Sequence, residues 1–301
     1  MYDIDKILYG IQNPRRILWE LGWIYHRRVR GKRGIHIMDA DWDNLVILDA
    51  CRYDLFEEVN TLPGDLSEVI SRGSSTAEFL HRNFKQDNRT YDDTVYVSGN
   101  PQTRNHSVEG LFHDSVPVWE QRWDDDLQTV HPECLTEESI RLSDQYPNKR
   151  LIIHYIQPHY PFIGETGRKI EHRSVHGGGV KTDRDSVADS VWQRLEDGEL
   201  SQDRVWKAYR ENLELTLPHI ETLLTELHGK TIITSDHGNA MGRWGLYGHP
   251  TKRYHEGLVS VPWLEAPYDE RKDIEEEQLN EPDPEQDGSP VGDRLKHLGY
   301  K

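Results

Sequence analysis

Apolar residues cluster in four short runs along the chain, at positions 44–49, 151–156, 231–235 and, less cleanly, 258–264. Continuous runs of this length predict strands buried on both faces. Between them the apolar positions switch to a helical spacing, at 76–83, 137–145 and above all 205–227. There Leu213, Leu215, Leu217, Ile220, Leu223, Leu224 and Leu227 form a stripe interrupted at Pro218. Strands alternating with helices predict an α/β fold with a mostly parallel central sheet and helices on both faces. In such sheets ligands gather outside the carboxyl ends of the strands, where Asp49 and Asp236 fall.

The regions flanking this pattern differ from it. Residues 1–34 form a basic amphipathic segment: within 7–33, Leu8, Ile11, Leu18, Leu21 and Trp23 accompany Arg15, Arg16, Arg27, Arg28 and Arg33. A helix of that composition can lie on an anionic membrane surface or pack on the domain with its arginines solvated. Residues 35–266 carry the strand and helix pattern of one catalytic domain. Residues 172–185, rich in Gly and Arg, read as a long loop that could shape the rim of a site. From 267 to 301 the chain becomes an acidic, Pro-containing connector, expected to be flexible, with a short helix at its end.

Charge narrows the class of partner. Asp and Glu number 53 against 36 Lys plus Arg, a formal net charge of −17, which repels a polyanion and excludes nucleic acid as the main partner. The basic residues are mostly Arg. Such an acidic, Lys-poor surface suits concentrated salt, where self-repulsion is screened, and is read as halophilic. Cys51 and Cys134 make no disulfide framework, and neither a secretory signal nor an apolar run of membrane-spanning length is apparent. The expected location is cytoplasmic, with peripheral contact at the inner membrane face.

Three segments carry candidate chemistry. In Leu48-Asp49-Ala50-Cys51-Arg52 a carboxylate closes a buried strand and an arginine follows. In Ser235-Asp236-His237-Gly238 an oxygen and a nitrogen donor stand side by side at another strand end. Carboxylate with imidazole suits Zn or Mn, and a Ca site is an alternative. In Gly73-Ser74-Ser75-Thr76 three hydroxyls precede a helical pattern. A hydroxyl there could attack an anionic group held by free N–H groups, or could simply cap the helix. Further histidines stand in His154-Tyr155-Ile156-Gln157-Pro158-His159 and in Gly248-His249.

Taken in order, these segments resemble the sulfatase-like branch of the alkaline phosphatase superfamily. Asp49 matches its strand-ending aspartate, Pro158-His159-Tyr160-Pro161 its His before Pro, and Ser235-Asp236-His237-Gly238 its second metal-binding strand end. Gly248-His249, Tyr254-His255-Glu256 and Val261-Pro262-Trp263-Leu264 follow as they do in that family. The resemblance implies one divalent metal ion held by Asp49, Asp236, His237 and the nucleophile. It also implies His159 as general acid or oxyanion contact, and His249 on the oxygens of the transferred group. The Cys-x-Pro-x-Arg or Ser-x-Pro-x-Arg motif that yields formylglycine is missing. In its place stand Ser75 and Thr76, Ser75 being the expected nucleophile and metal ligand with Thr76 in reserve. An unmodified hydroxyl would form a covalent ester, as in the phosphoethanolamine transferases of the superfamily, and Arg52 would suit either anion.

The function expected is therefore transfer of a sulfuryl or phosphoryl group to or from a sugar of a surface or lipid-linked glycan. This follows the resemblance to formylglycine-less proteins of salt-adapted proteomes. The alternatives are hydrolysis of a sulfate or phosphate ester, and an inactive scaffold binding glycan or lipid.

Overall fold

The structure, a computed structural model, describes residues 34–170 and 190–276. The basic segment at 7–33 and the Gly- and Arg-rich loop at 172–185 lie outside the described residues, as do positions 277–301.

Seven strands form one sheet: β1 (Asn44–Asp49), β2 (Asp65–Ile70), β3 (Tyr91–Ser98), β4 (Phe112–Pro117), β5 (Arg150–Pro158), β6 (Thr231–Ser235) and β7 (Ser260–Glu265). Their spatial order is β2-β7-β6-β1-β5-β3-β4. β1 pairs in parallel with β5 and β6, and β3 in parallel with β5 and β4. Only β7 runs against its neighbours. The expected α/β architecture is what forms. β1 and β6 have the predicted bounds, while β5 extends the run at 151–156 at both ends.

Alternation along the strands divides the core in two. Val46 and Leu48 join Val95, Val97, Ile153, Tyr155 and Ile233 on one face, whereas Leu45 and Ile47 join Tyr96, Ile152 and Ile232 on the other. Helices α1 (Tyr53–Val59), α3 (Pro132–Gln145) and α4 (Gln202–Glu226) cover the first face through Phe56, Leu135, Leu213, Leu217 and Ile220. On the second, Phe79 and Leu80 of α2 (Thr76–Leu80) pack with Phe84 and Trp42. α4 runs through Pro218, because burial of Leu213, Leu217, Ile220 and Leu223 anchors both of its halves. Leu215, included in the predicted stripe, is 45% exposed. Among the described residues no helix is long and apolar enough to cross a membrane.

The start of the expected flexible connector is held down. Arg271 places Nε and Nη2 on the buried Asp43 at 2.7 and 2.9 Å, and Lys149 Nζ donates to Glu275 O at 2.8 Å. Residues 267–276 need not bury apolar area to be fixed, because charge-assisted hydrogen bonds hold them.

Candidate metal centre and active site

The carboxyl ends of β1, β5 and β6 meet on the α2 side of the sheet. Asp49 ends β1 and Asp236 follows β6, while His154 stands in β5 opposite Ile47; all three are fully buried. One ligand atom from each lies within 4.8 Å of the other two. Ala50, the residue after Asp49, is left-handed at φ 59° and turns its N–H onto Asp236 Oδ1 at 2.9 Å. His237 N donates to the same oxygen at 2.8 Å. Gly238 is required where the chain leaves the site, since a Cβ there would meet Gly257 O at 2.4 Å.

Hydrogen bonds fix which atom of His237 is basic. Its Nδ1 lies 2.9 Å from Gly238 O, and a carbonyl only accepts, so the ring proton sits on Nδ1. Nε2 therefore presents a lone pair, 3.5 Å from Asp49 Oδ1 and 3.4 Å from Asp236 Oδ2. The Thr76 hydroxyl, on the first residue of α2, lies 3.2 Å from the same nitrogen. Burial lowers the His237 pKa to about 4, against the raising influence of Gly238 O and Glu78, so the ring is neutral at pH 7. His154 is likewise held at about 4 by burial, although Asp236 pulls it upward. Burial raises Asp236, outweighing His154, the Ala50 and His237 N–H groups and Thr76. The oxygens of Asp49 and Asp236 and the His237 Nε2 lone pair thus converge on one point, and neither His154 Nε2 nor Asp236 Oδ2 has a hydrogen bond. A divalent cation fits this donor set, and burial of such groups is otherwise costly.

The remaining predicted residues divide into three groups. His159 and His249 face each other, Nε2 to Nε2 at 2.9 Å, with the His249 ring centroid 4.8 Å from that of His237. His159 Nδ1 bonds Tyr160 O and so carries the proton, leaving its Nε2 as acceptor and His249 Nε2 as donor. Burial lowers the pKa of both, that of His249 to about 3, and neighbouring imidazoles add to the effect. Of the three hydroxyls, Ser74 serves structure: it donates to Glu78 Oε2 and Pro250 O, both at 3.1 Å, and accepts from Arg253 N. Ser75 is buried, and its Oγ has no hydrogen bond. Arg52 points away from the cluster. It bonds Asp54 through Nε and Nη2 and Asn239 O through Nη1, and it stacks over Trp206. From there it lines a cavity of about 760 Å³ together with Arg243, His255, Glu256, Met241 and Leu195.

Sequence reasoning noted His154 but gave it no ligand role, and it missed Tyr96 and Asn100. Tyr96 Oη lies 2.7 Å from His154 Nδ1, and Asn100 Nδ2 donates to Asp49 Oδ2 at 2.5 Å. A histidine inside an otherwise apolar strand was the available signal for the first. The other two lie on or just after β3, a strand the apolar runs did not reveal.

The sheet order, its single reversed strand and helices on both faces define the class of the protein as a mixed α/β fold. That fold is shared with the integral membrane protein lipooligosaccharide phosphoethanolamine transferase A from Neisseria meningitidis, at 14% identity and a TM-score of 0.50 over 73% of this chain. The chain spans 47% of that transferase. The transferase's soluble domain aligns with 74% of this chain and 75% of its own length, at 14% identity and a TM-score of 0.49. A putative sulfatase from Bacteroides thetaiotaomicron aligns with 74% of this chain and 63% of its own, at 12% identity and a TM-score of 0.45. No protein-family model matches the sequence, and no curated protein matches it.

Proposed function

We propose that the protein is a metal-dependent enzyme that transfers or hydrolyses a phosphoryl or sulfuryl group, with Thr76 as nucleophile. One observation carries this reading: the His237 Nε2 lone pair faces two carboxylate oxygens within 3.5 Å and the Thr76 hydroxyl at 3.2 Å. The fold shared with the phosphoethanolamine transferase supports it. Asp49, Asp236 and His237 would hold one divalent ion, with His154 as a further donor. When bound, the ion neutralises the buried carboxylates and lowers the pKa of a neighbouring hydroxyl. The geometry favours Thr76 over Ser75, because Thr76 Oγ1 is hydrogen-bonded to a proposed ligand whereas Ser75 Oγ has no hydrogen bond.

The chain's own groups account for the proton balance. Thr76 Oγ1 forms a bond to phosphorus or sulfur as the bond to the ester oxygen breaks. The proton that Thr76 loses is taken up by the neutral His159–His249 imidazole pair, and the pair, once protonated, returns that proton to the departing oxygen. Discharge of the Thr76 ester to water or to an acceptor hydroxyl repeats these transfers in reverse. The cavity beside Arg52 suits the rest of a polar substrate, and a sugar of a surface or lipid-linked glycan is the proposed one. Contact with the inner membrane face through residues 7–33 belongs to the same proposal.

Purified protein and its Thr76→Ala and Ser75→Ala variants would be assayed with p-nitrophenyl phosphate and p-nitrophenyl sulfate, before and after chelation. Acid-quenched samples would be mapped for an ester on Thr76. Turnover lost with chelation and with Thr76→Ala but kept in Ser75→Ala is expected, together with an adduct on Thr76. Turnover that survives Thr76→Ala would sink the nucleophile assignment. Product formed steadily without an added acceptor would mean hydrolysis.

A further inference from the structure

We propose that Asn100 is a positioning residue that restricts Asp49 to coordination through one oxygen, and so selects a small, low-coordination cation against Ca²⁺. The inference rests on the reading of the Asp49–Asp236–His237 cluster as a metal centre.

Asn100 is fully buried. Its orientation is unambiguous, because Oδ1 accepts the Gln102 N–H at 2.9 Å and Nδ2 must then be the group facing Asp49. Nδ2 reaches Asp49 Oδ2 at 2.5 Å. The backbone carrying it is clamped as well: the Ser98 and Thr103 hydroxyls both donate to Asn100 O at 3.0 Å, and Asn100 N donates to Ser98 Oγ at 3.0 Å. One Asp49 oxygen is thereby committed to an inflexible donor, and the other is directed to the side of His237 Nε2. Asp236 is treated alike, its Oδ1 taken by the Ala50 and His237 N–H groups and its Oδ2 turned toward His237 Nε2.

Two carboxylates limited to one oxygen each, with imidazole nitrogen and a hydroxyl, offer about four or five donors. That number suits Zn²⁺ or a similar ion, whereas Ca²⁺ takes 6–8 oxygens and uses carboxylates in bidentate fashion. Hydrogen-bond partners of this outer kind typically change metal affinity by about 10- to 100-fold when removed.

The test uses the full chain, stripped of metal, titrated with Zn²⁺, Mn²⁺ and Ca²⁺ against a chelating indicator. Asn100→Leu removes the donor, and Asn100→Asp keeps the acceptor for Gln102 N while removing the N–H; Asp236→Asn is the control. Native protein should prefer Zn²⁺ or Mn²⁺ to Ca²⁺. In both Asn100 variants the Zn²⁺-to-Ca²⁺ affinity ratio should fall by about 10-fold or more, and furthest in Asn100→Asp, whose added carboxylate favours Ca²⁺. If Asn100→Leu does not fold, Asn100→Ala takes its place, since the new carboxylate of Asn100→Asp changes the ligand set by itself. An unchanged ratio, even with both affinities weakened equally, would overturn the proposal and leave the metal centre standing. Absence of binding by native protein, or equal binding by Asp236→Asn, would remove the metal centre itself.

Discussion

The two ends of β1 bury an aspartate each and treat it in opposite ways. At the amino end, Asp43 is paired by Arg271 and accepts the Lys230 and Lys272 N–H groups, so its pKa is lowered although burial alone raises it. At the carboxyl end, Asp49 faces a second buried carboxylate, and the bases around them are neutral imidazoles. The chain has arginines to spare and spends one on Asp43. A buried carboxylate paired within the chain is a structural element. We propose that carboxylates converging with lone pairs on a common point are a seat for a cation.

The sharpest way to break this comparison is to neutralise one aspartate at each end. Asp236→Asn should lower turnover by about 1,000-fold or more, equivalent to roughly 4 kcal/mol, and should abolish tight metal binding. In chelator it should be at least as stable as the native chain, since the uncompensated carboxylate is gone while an amide oxygen still accepts from Ala50 and His237. Activity assays and urea unfolding in chelator measure the two halves. A large loss of metal-free stability in this variant would mean that Asp236 is structural in the way Asp43 is.

Next in size is the response to acid. Buried His154 and His237 stay neutral in the fold down to about pH 4, and His249 to about 3, whereas an unfolded histidine takes up a proton near its ordinary value of 6.5. Between those limits the unfolded chain binds more protons, so stability is fully present above pH 6.5 and falls as pH drops toward 4. One such ring contributes on the order of 3 kcal/mol. Thermal melts of metal-free protein across this window should show the loss, and added Zn²⁺ should delay it to lower pH. A melting temperature flat from pH 7 to 4.5 would contradict the neutral-imidazole description.

At the other end, Asp43→Asn should cost about 2 kcal/mol by leaving Arg271 without its charged acceptor, with little change in turnover per folded molecule. Hydrogen exchange at 267–276 should quicken, because that stretch is held through Asp43 and Lys149. Unchanged protection there would show that other contacts hold it.

Much of this was legible from the chain alone. The strands that meet at the centre are continuous apolar runs, and two residues of the cluster, Asp49 and Asp236, stand at or just after strand ends, whereas His154 lies inside its strand. Two strands were hidden for physical reasons: the edge strand β2 is largely exposed and so needs few apolar residues, and the inner strand β3 opens with Tyr91-Asp92-Asp93-Thr94. That concealment removed Tyr96 and Asn100 from view and, with them, the partners of His154 and Asp49. The proposed choice of Thr76 among the three adjacent hydroxyls rests on where the backbone turns them, which the sequence does not state. Arg52 follows Asp49 closely in sequence, and Asp54 and Asn239 hold its guanidinium at the cavity wall.

The smallest effect concerns the residue that joins β1 to the centre. Ala50 is held at φ 59°, a region that costs an L-residue roughly 1–2 kcal/mol, and it is there that its N–H meets Asp236 Oδ1. At the amino end of β1 no non-glycine residue of positive φ adjoins Asp43, where Gly229, at φ 94°, packs against its side chain without such a cost. Glycine at position 50 removes the steric cost but raises the entropy lost on folding, by roughly 0.5–1 kcal/mol. Ala50→Gly should therefore change stability by less than about 1 kcal/mol while lowering turnover a few-fold, since the backbone that aims Asp236 becomes less rigid. Ala50→Val, with a branched Cβ in the same region, should be clearly destabilising. If Ala50→Gly gains stability with full activity, the strain is incidental. If it loses activity at unchanged stability, the strained turn is part of how the carboxyl end of β1 holds its donors in place, a task that the amino end does not have.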